Sequence, residues 1–206
     1  VAAPADDVYK DAGKVEATIT KAEGGNFENL ETNPAPAVTD VTDTIDNSTV
    51  SLKATPSAAE GGNVTYTATV TAPVTGSPVV VTLANGEKIT IPVGETTGSV
   101  SISAPNDVLV GHTPLTNSIT NVSGGNYENL VADKTPVSTT VTDTVDTTSV
   151  SLTATGTVAE GGQITYTATL TNAAGTPVTV TLSNGSVIHI EAVSYTHLRA
   201  HETPEH

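Results

Sequence analysis

Residues 59–70 read Ala59-Glu60-Gly61-Gly62-Asn63-Val64-Thr65-Tyr66-Thr67-Ala68-Thr69-Val70, and their alternation decides the fold. Successive side chains of a strand point to opposite faces. A period of two therefore puts Val64, Tyr66, Ala68 and Val70 on one face, with Thr65, Thr67 and Thr69 on the other. Gly61-Gly62 marks the turn ahead of the strand. The same device returns as Ala159-Glu160-Gly161-Gly162, followed by Ile164, Tyr166, Ala168 and Leu170.

The return is part of a repeat with an offset of 100. Val50–Thr71 and Val150–Thr171 share 15 of 22 residues. Asp43-Thr44-Ile45-Asp46 recurs as Asp143-Thr144-Val145-Asp146. Gly24-Gly25-Asn26-Phe27-Glu28-Asn29-Leu30 recurs as Gly124-Gly125-Asn126-Tyr127-Glu128-Asn129-Leu130. A unit this long can close its own core, so the period indicates tandem domains and not a solenoid. The expected organisation is the C-terminal half of a repeat over 1–46, a complete repeat over 47–146 and the N-terminal half of the next over 147–191.

Within 47–146 the strand pattern continues. Val50, Leu52 and Ala54 alternate with polar residues, and Val79–Leu83 runs into Asn85-Gly86, a hairpin signal that Asn184-Gly185 copies. Ile89, Ile91 and Val93 return from it, followed by Val100 with Ile102, Leu115–Val122 and Val137–Val145. About seven short strands in a repeat of this size predict an all-β chain of tandem immunoglobulin-like β-sandwich repeats of about 100 residues. Composition agrees: 39 Thr and 27 Val make up about a third of the 206 residues, and both types suit a pleated surface.

Other features exclude whole classes. Without cysteine there is no disulfide, thiolate metal site or cysteine nucleophile. Seven Lys and Arg against 22 acids give a net charge of −15, which repels nucleic acid and anionic lipid. No apolar run is long enough for a spanning helix, so no membrane insertion is expected.

Val193-Ser194-Tyr195-Thr196-His197-Leu198-Arg199-Ala200-His201-Glu202-Thr203 breaks the pattern where the repeat calls for a counterpart of Gly94-Glu95-Thr96-Thr97-Gly98. The string resembles a translated transposase-type sequencing adapter, which implies that 192–206 is adapter-derived and unstructured. Its histidines, His197, His201 and His206, are set aside as metal ligands on that ground.

No catalytic motif appears, and the chain is not expected to be an enzyme. His112 and His189 stand where the neighbouring repeat has Ala12 and Thr90, and both are expected to face solvent. The acids carry more information because they recur at turns and junctions, which lie at the poles of a sandwich. Asp43, Asp46, Glu60, Asp107, Asp143, Asp146 and Glu160 are the candidate Ca2+ ligands, since Ca2+ takes six to eight oxygens. Phe27 and Tyr127 offer a ring either for stacking on a sugar or for plugging the loop, and the plug is the favoured reading.

Taken together, Asp-Thr-[Ile/Val]-Asp, the Ala-Glu-Gly-Gly turn with its strand, Thr-Leu-x-Asn-Gly and the Gly-Gly-Asn-[Phe/Tyr]-Glu-Asn-Leu loop resemble the extender repeats of LapA-like giant adhesins. That resemblance implies secretion by a type I system, an extracellular, cell-surface location and a role in biofilm adhesion. It implies Ca2+ as the bound ion, neighbouring repeats of the same chain as partners, and surface polymers as targets of distal modules. A carbohydrate-binding or accessory β-sandwich module is the competing reading. Sequencing the gene from genomic DNA past codon 192 is expected to give a glycine-containing turn like Gly94–Gly98. Reading His-Leu-Arg-Ala-His there would sink the adapter assignment.

Overall fold

The computed structural model describes residues 2–193 and 196–202. The chain is all-β, and no helix among the described residues is long and apolar enough to cross a membrane. In chain order the strands are β1 (Gly13–Ala17), β2 (Ala37–Val41), β3 (Asn47–Ala54), β4 (Ser57–Ala59), β5 (Asn63–Val70), β6 (Val79–Leu83), β7 (Lys88–Ile91) and β8 (Thr97–Ser103). There follow β9 (Leu115–Asn117), β10 (Ile119–Ser123), β11 (Asn129–Ala132), β12 (Val137–Thr142), β13 (Val150–Ala154), β14 (Ile164–Leu170), β15 (Val178–Thr181), β16 (Val187–Ile190) and β17 (Thr196–Glu202). Two compact units interleave along the chain. One takes the residues up to Pro56, Val64–Ile102 and Leu115–Thr139; the other takes Ser57–Asn63, Ser103–Pro114 and the chain from Thr140 onward.

In the first unit, one sheet has the order β11-β3-β5-β8 and another β10-β6-β7. The alternation read from the sequence is the burial pattern found: Val64, Tyr66, Ala68 and Val70 are each at most 2 % exposed. Val79, Val81, Leu83, Ile89, Ile91 and Ile119 supply the second buried face. Each sheet thus hides one face and wets the other with Thr and Ser, as two sheets sharing one core must.

The hairpin at Asn85-Gly86 forms, but its turn differs from the two-residue kind that Asn-Gly favours. Gly86 N–H donates to Leu83 O at 3.0 Å and Gly86 alone takes the left-handed φ of 90°, the form of a type I turn closed by a glycine. Leu115–Val122, expected as one strand, is two. β9 pairs with β12, and β10 pairs with β6. Between them Asn117, 2 % exposed, accepts hydrogen bonds from Ser118 N–H and Asn85 N–H and fixes the change of partner. A buried side-chain amide capturing backbone donors is not visible in a hydropathy pattern.

Registers repeat with the sequence. Val15 faces Thr39 in the β1–β2 pair, and Leu115 faces Thr139 in β9–β12. Val50 faces Val70 in β3–β5, and Val150 faces Leu170 in β13–β14. Beyond Thr171 the offset falls to 99, so that Val79↔Ile91 is matched by Val178↔Ile190. The missing residue lies in the turn ahead of β15, where Ala72–Pro78 is matched by Asn172–Pro177.

In the second unit, Ala168, Leu170, Ile188 and Ile190 form a core with Tyr166, Val178 and Val180 against it. β4 lies parallel to the second half of β12, and the sheet order elsewhere is β13-β14-β17. β17 corrects the expectation that 192–206 is unstructured: Thr196–Glu202 pairs with β14. The reason is the open edge. β14 presents the ladder that β5 presents to β8, and an unpaired edge accepts any extended neighbour. Residues 194, 195 and 203–206 lie outside the described residues.

Val193 marks the break in another way. Its N–H donates to Ala174 O at 2.8 Å, as Gly94 N–H donates to Val74 O, and its φ is 62° where Gly94 has 89°. A β-branched residue is strained there. Val193→Gly should therefore raise stability by about 1 kcal/mol in urea unfolding. Ile91→Ala should cost about 2–5 kcal/mol, while the exposed neighbour Thr90→Ala stays within about 0.5.

Candidate functional site

Turns and junctions gather the acids into two groups, one in each unit. In the second unit Glu60, next to Gly61-Gly62, is only 7 % exposed, and burial of a carboxylate requires donors. Its Oε2 accepts from Thr144 N–H at 2.8 Å and from Thr144 Oγ1 at 3.1 Å. Its Oε1 accepts from Asp107 N–H at 3.3 Å and pairs with His112 Nε2. Four donors hold the Glu60 carboxyl down at about 2, the Thr144 N–H foremost and His112 next, against the opposing effect of burial. The hydrogen bond to Glu60 raises the His112 imidazole above its ordinary value, with smaller help from Asp107 and Asp143.

His112 is thus not the solvent-facing histidine expected; its side chain is 11 % exposed and bound to Glu60. Asp143 stands beside it, 3.8 Å from Nε2, and accepts from Gly111 N–H at 2.9 Å. Ligand atoms of Glu60, Asp107 and His112 all lie within 4.8 Å of one another. Ca2+ nevertheless does not fit them. Both Glu60 oxygens are already committed to protein donors, and imidazole nitrogen suits transition metals, not a hard oxygen-seeking ion. The group works as a tie between the turn at 60, the loop 107–112 and the junction 143–144.

The first unit holds an all-oxygen group. Asp6, Asp7, Asp11, Asp43 and Glu128 line a cleft of about 540 Å3. Asp11 titrates above the usual carboxylate range, first because of the Asp7 charge, then desolvation, then Asp43. Lys14 lines the cleft as well, but its ammonium pairs with Asp40 at 3.0 Å. Repulsion among carboxylates is what a cation relieves, and the donor set fits Ca2+. Asp46 borders this group through its N–H, which donates to Glu128 Oε2 at 2.7 Å.

Of the seven expected ligands, the structure therefore brings Asp43 into the oxygen cleft with Asp46 at its rim, and Glu60, Asp107 and Asp143 into the histidine-containing tie. Asp146 and Glu160 are exposed and belong to neither group. Asp6, Asp7, Asp11 and Glu128 were not among the expected ligands. Asp11 has Gly111 as its counterpart one repeat on, so the repeat itself hid it.

Tyr127 is the plug. It is 3 % exposed and its hydroxyl donates to Ala72 O at 2.7 Å, while burial raises its titration. Gly124 is required beside it, because a Cβ there would sit 2.1 Å from Pro78 O. Phe27 in the earlier copy of the loop is 67 % exposed.

Repeated strand registers define an all-β chain with an internal repeat. The chain belongs to the LapA domain family, whose model matches residues 1–44, 46–144 and 146–202. No curated protein matches it. Membership relates the chain to biofilm adhesins and points to the cell surface.

The tie has a pH signature. The lowered Glu60 contributes stability that is present above its ordinary 4.5 and lost as pH falls toward 2. The raised His112 contributes stability that is full below its ordinary 6.5 and lost as pH rises through its elevated value. Melting temperature should accordingly be highest between pH 4.5 and 6.5. His112→Ala should flatten the alkaline decline, and an unchanged decline would count against the tie.

Proposed function

We propose that this chain is an extender segment of a secreted bacterial surface adhesin: immunoglobulin-like repeats in tandem that carry distal binding modules away from the cell. The observation that carries the reading is the recurrence of strand registers at an offset of 100 on either side of short Asp-Thr-[Ile/Val]-Asp junctions. The three matched stretches, broken at 45 and 145, support it. Strand faces of Thr and Ser on the wet side suit a spacer. Export through a type I system accords with a chain that has no cysteine to cross-link.

Ca2+ is the ion proposed for the cleft of Asp6, Asp7, Asp11 and Asp43, which adjoins the Asp43–Asp46 junction. Held there, it would neutralise the crowded carboxylates and stiffen the link between successive repeats. Binding to the folded state alone stabilises by about 2.7 kcal/mol at a hundredfold excess over Kd. The melting temperature of the chain should therefore climb with the logarithm of Ca2+ concentration through the millimolar range. Asp43→Asn with Asp11→Asn should abolish the climb. Coincident melts of apo and Ca2+-loaded chain would sink the cation role.

A further inference from the structure

The loop Asp7–Asp11 is shaped to hold something. Asp7 Oδ1 accepts from Tyr9 N–H at 2.7 Å, a turn that lifts Tyr9 clear of its own loop. Tyr9 then stacks on Tyr127, ring centroids 5.6 Å apart, and its hydroxyl donates to Pro73 O at 2.6 Å. Main chain pairs alongside: Lys10 N–H donates to Asn126 O and Glu128 N–H to Val8 O, each at 3.0 Å, and Asn126 Nδ2 donates to Lys10 O. A segment from before the Asp43–Asp46 junction thus adds one bridge of antiparallel sheet to the Gly-Gly-Asn-Tyr-Glu-Asn-Leu loop that follows it.

The second unit repeats the arrangement. Asp107 Oδ1 accepts from Leu109 N–H, again at 2.7 Å. Leu109 then lies against the turn at Gly175, whose Cβ, were there one, would be 3.3 Å from Leu109 Cδ1. Residues 107–111 share a cleft with Thr148, Leu170 and Ala173–Thr176, all beyond the Asp143–Asp146 junction. Pro73 and Ala173 are counterparts, as are Tyr9 and Leu109.

We propose that Val8-Tyr9-Lys10 and Val108-Leu109-Val110 are clasps by which each repeat grips the next repeat of the same chain. The turn after the second core strand and the Gly-Gly-Asn-[Phe/Tyr]-Glu-Asn-Leu loop form the socket. This rests on the tandem-repeat reading above, but it places the coupling in side chains and main chain, where no ion is needed. It also gives the exposed Phe27 its occupant: the clasp of a preceding repeat. The stacked, hydrogen-bonded ring of Tyr9 makes the first clasp the firmer of the two.

Amide hydrogen exchange on the full chain tests it. Lys10 and Glu128 amides should be protected, and Tyr9→Ala should speed their exchange by about tenfold or more while Ser51 and Thr69, a hydrogen-bonded pair of the β3–β5 ladder, keep their rates. Tyr9→Phe, which loses only the bond to Pro73 O, should speed the same two amides less and guards against misfolding of the first variant. Unprotected amides in the parent, or no acceleration in either variant, would overturn the clasp. Calcium-independent melting would sink the cation role instead and leave these amides unmoved.

Discussion

A core with so few rings sets the terms for the rest of the molecule. Valine, isoleucine and two buried tyrosines, Tyr66 and Tyr127, do most of the filling in the first unit, and they reach only as far as strand alternation carries them. Alternation stops where strands turn, so apolar side chains cannot close the ends. Polar closures do that work instead. Glu60 seals one turn by gathering four donors, and Asn117 seals the place where β9 gives way to β10. A buried carboxylate is tolerable there because it is fully satisfied.

This division explains how acids of similar sequence context come to different uses. Glu60 and Asp11 both sit at the ends of strands, but their surroundings push them in opposite directions. Donors converge on Glu60 and hold it ionised, whereas other carboxylates converge on Asp11 and oppose its charge. The first builds structure from within the chain. The second leaves unbalanced charge of the kind an external ion balances.

Strand positions and their buried faces were legible in the sequence because a period of two survives in a single chain without further information. The repeat made the reading firmer by showing β3, β5, β6 and β7 again as β13, β14, β15 and β16. Poles were harder to read. Glu60 was found as a recurrent turn acid, but its partners lie at 107, 112 and 144, and nothing local to His112 distinguishes a buried ion pair from a wet loop. The oxygen cleft joins Asp6 to Asp43 across a gap that only folding closes, and Asp11 lacks a counterpart to draw attention to it. β17 was missed for a different reason: edge pairing depends on available backbone, which composition does not encode.

The residue lost between Thr171 and Val178 also bears on how such a chain diverges. Inside a strand, a single deletion would send every following side chain to the opposite face and turn the core outward. Placed in the turn, it leaves Ile188 and Ile190 as deeply buried as Ile89 and Ile91. Copies of a duplicated segment can therefore drift in length at their turns while strand interiors stay locked in parity. Recombination between copies would yield folded hybrids when the crossover falls in phase with that parity, so the gene can grow or shrink by whole units without losing its protein.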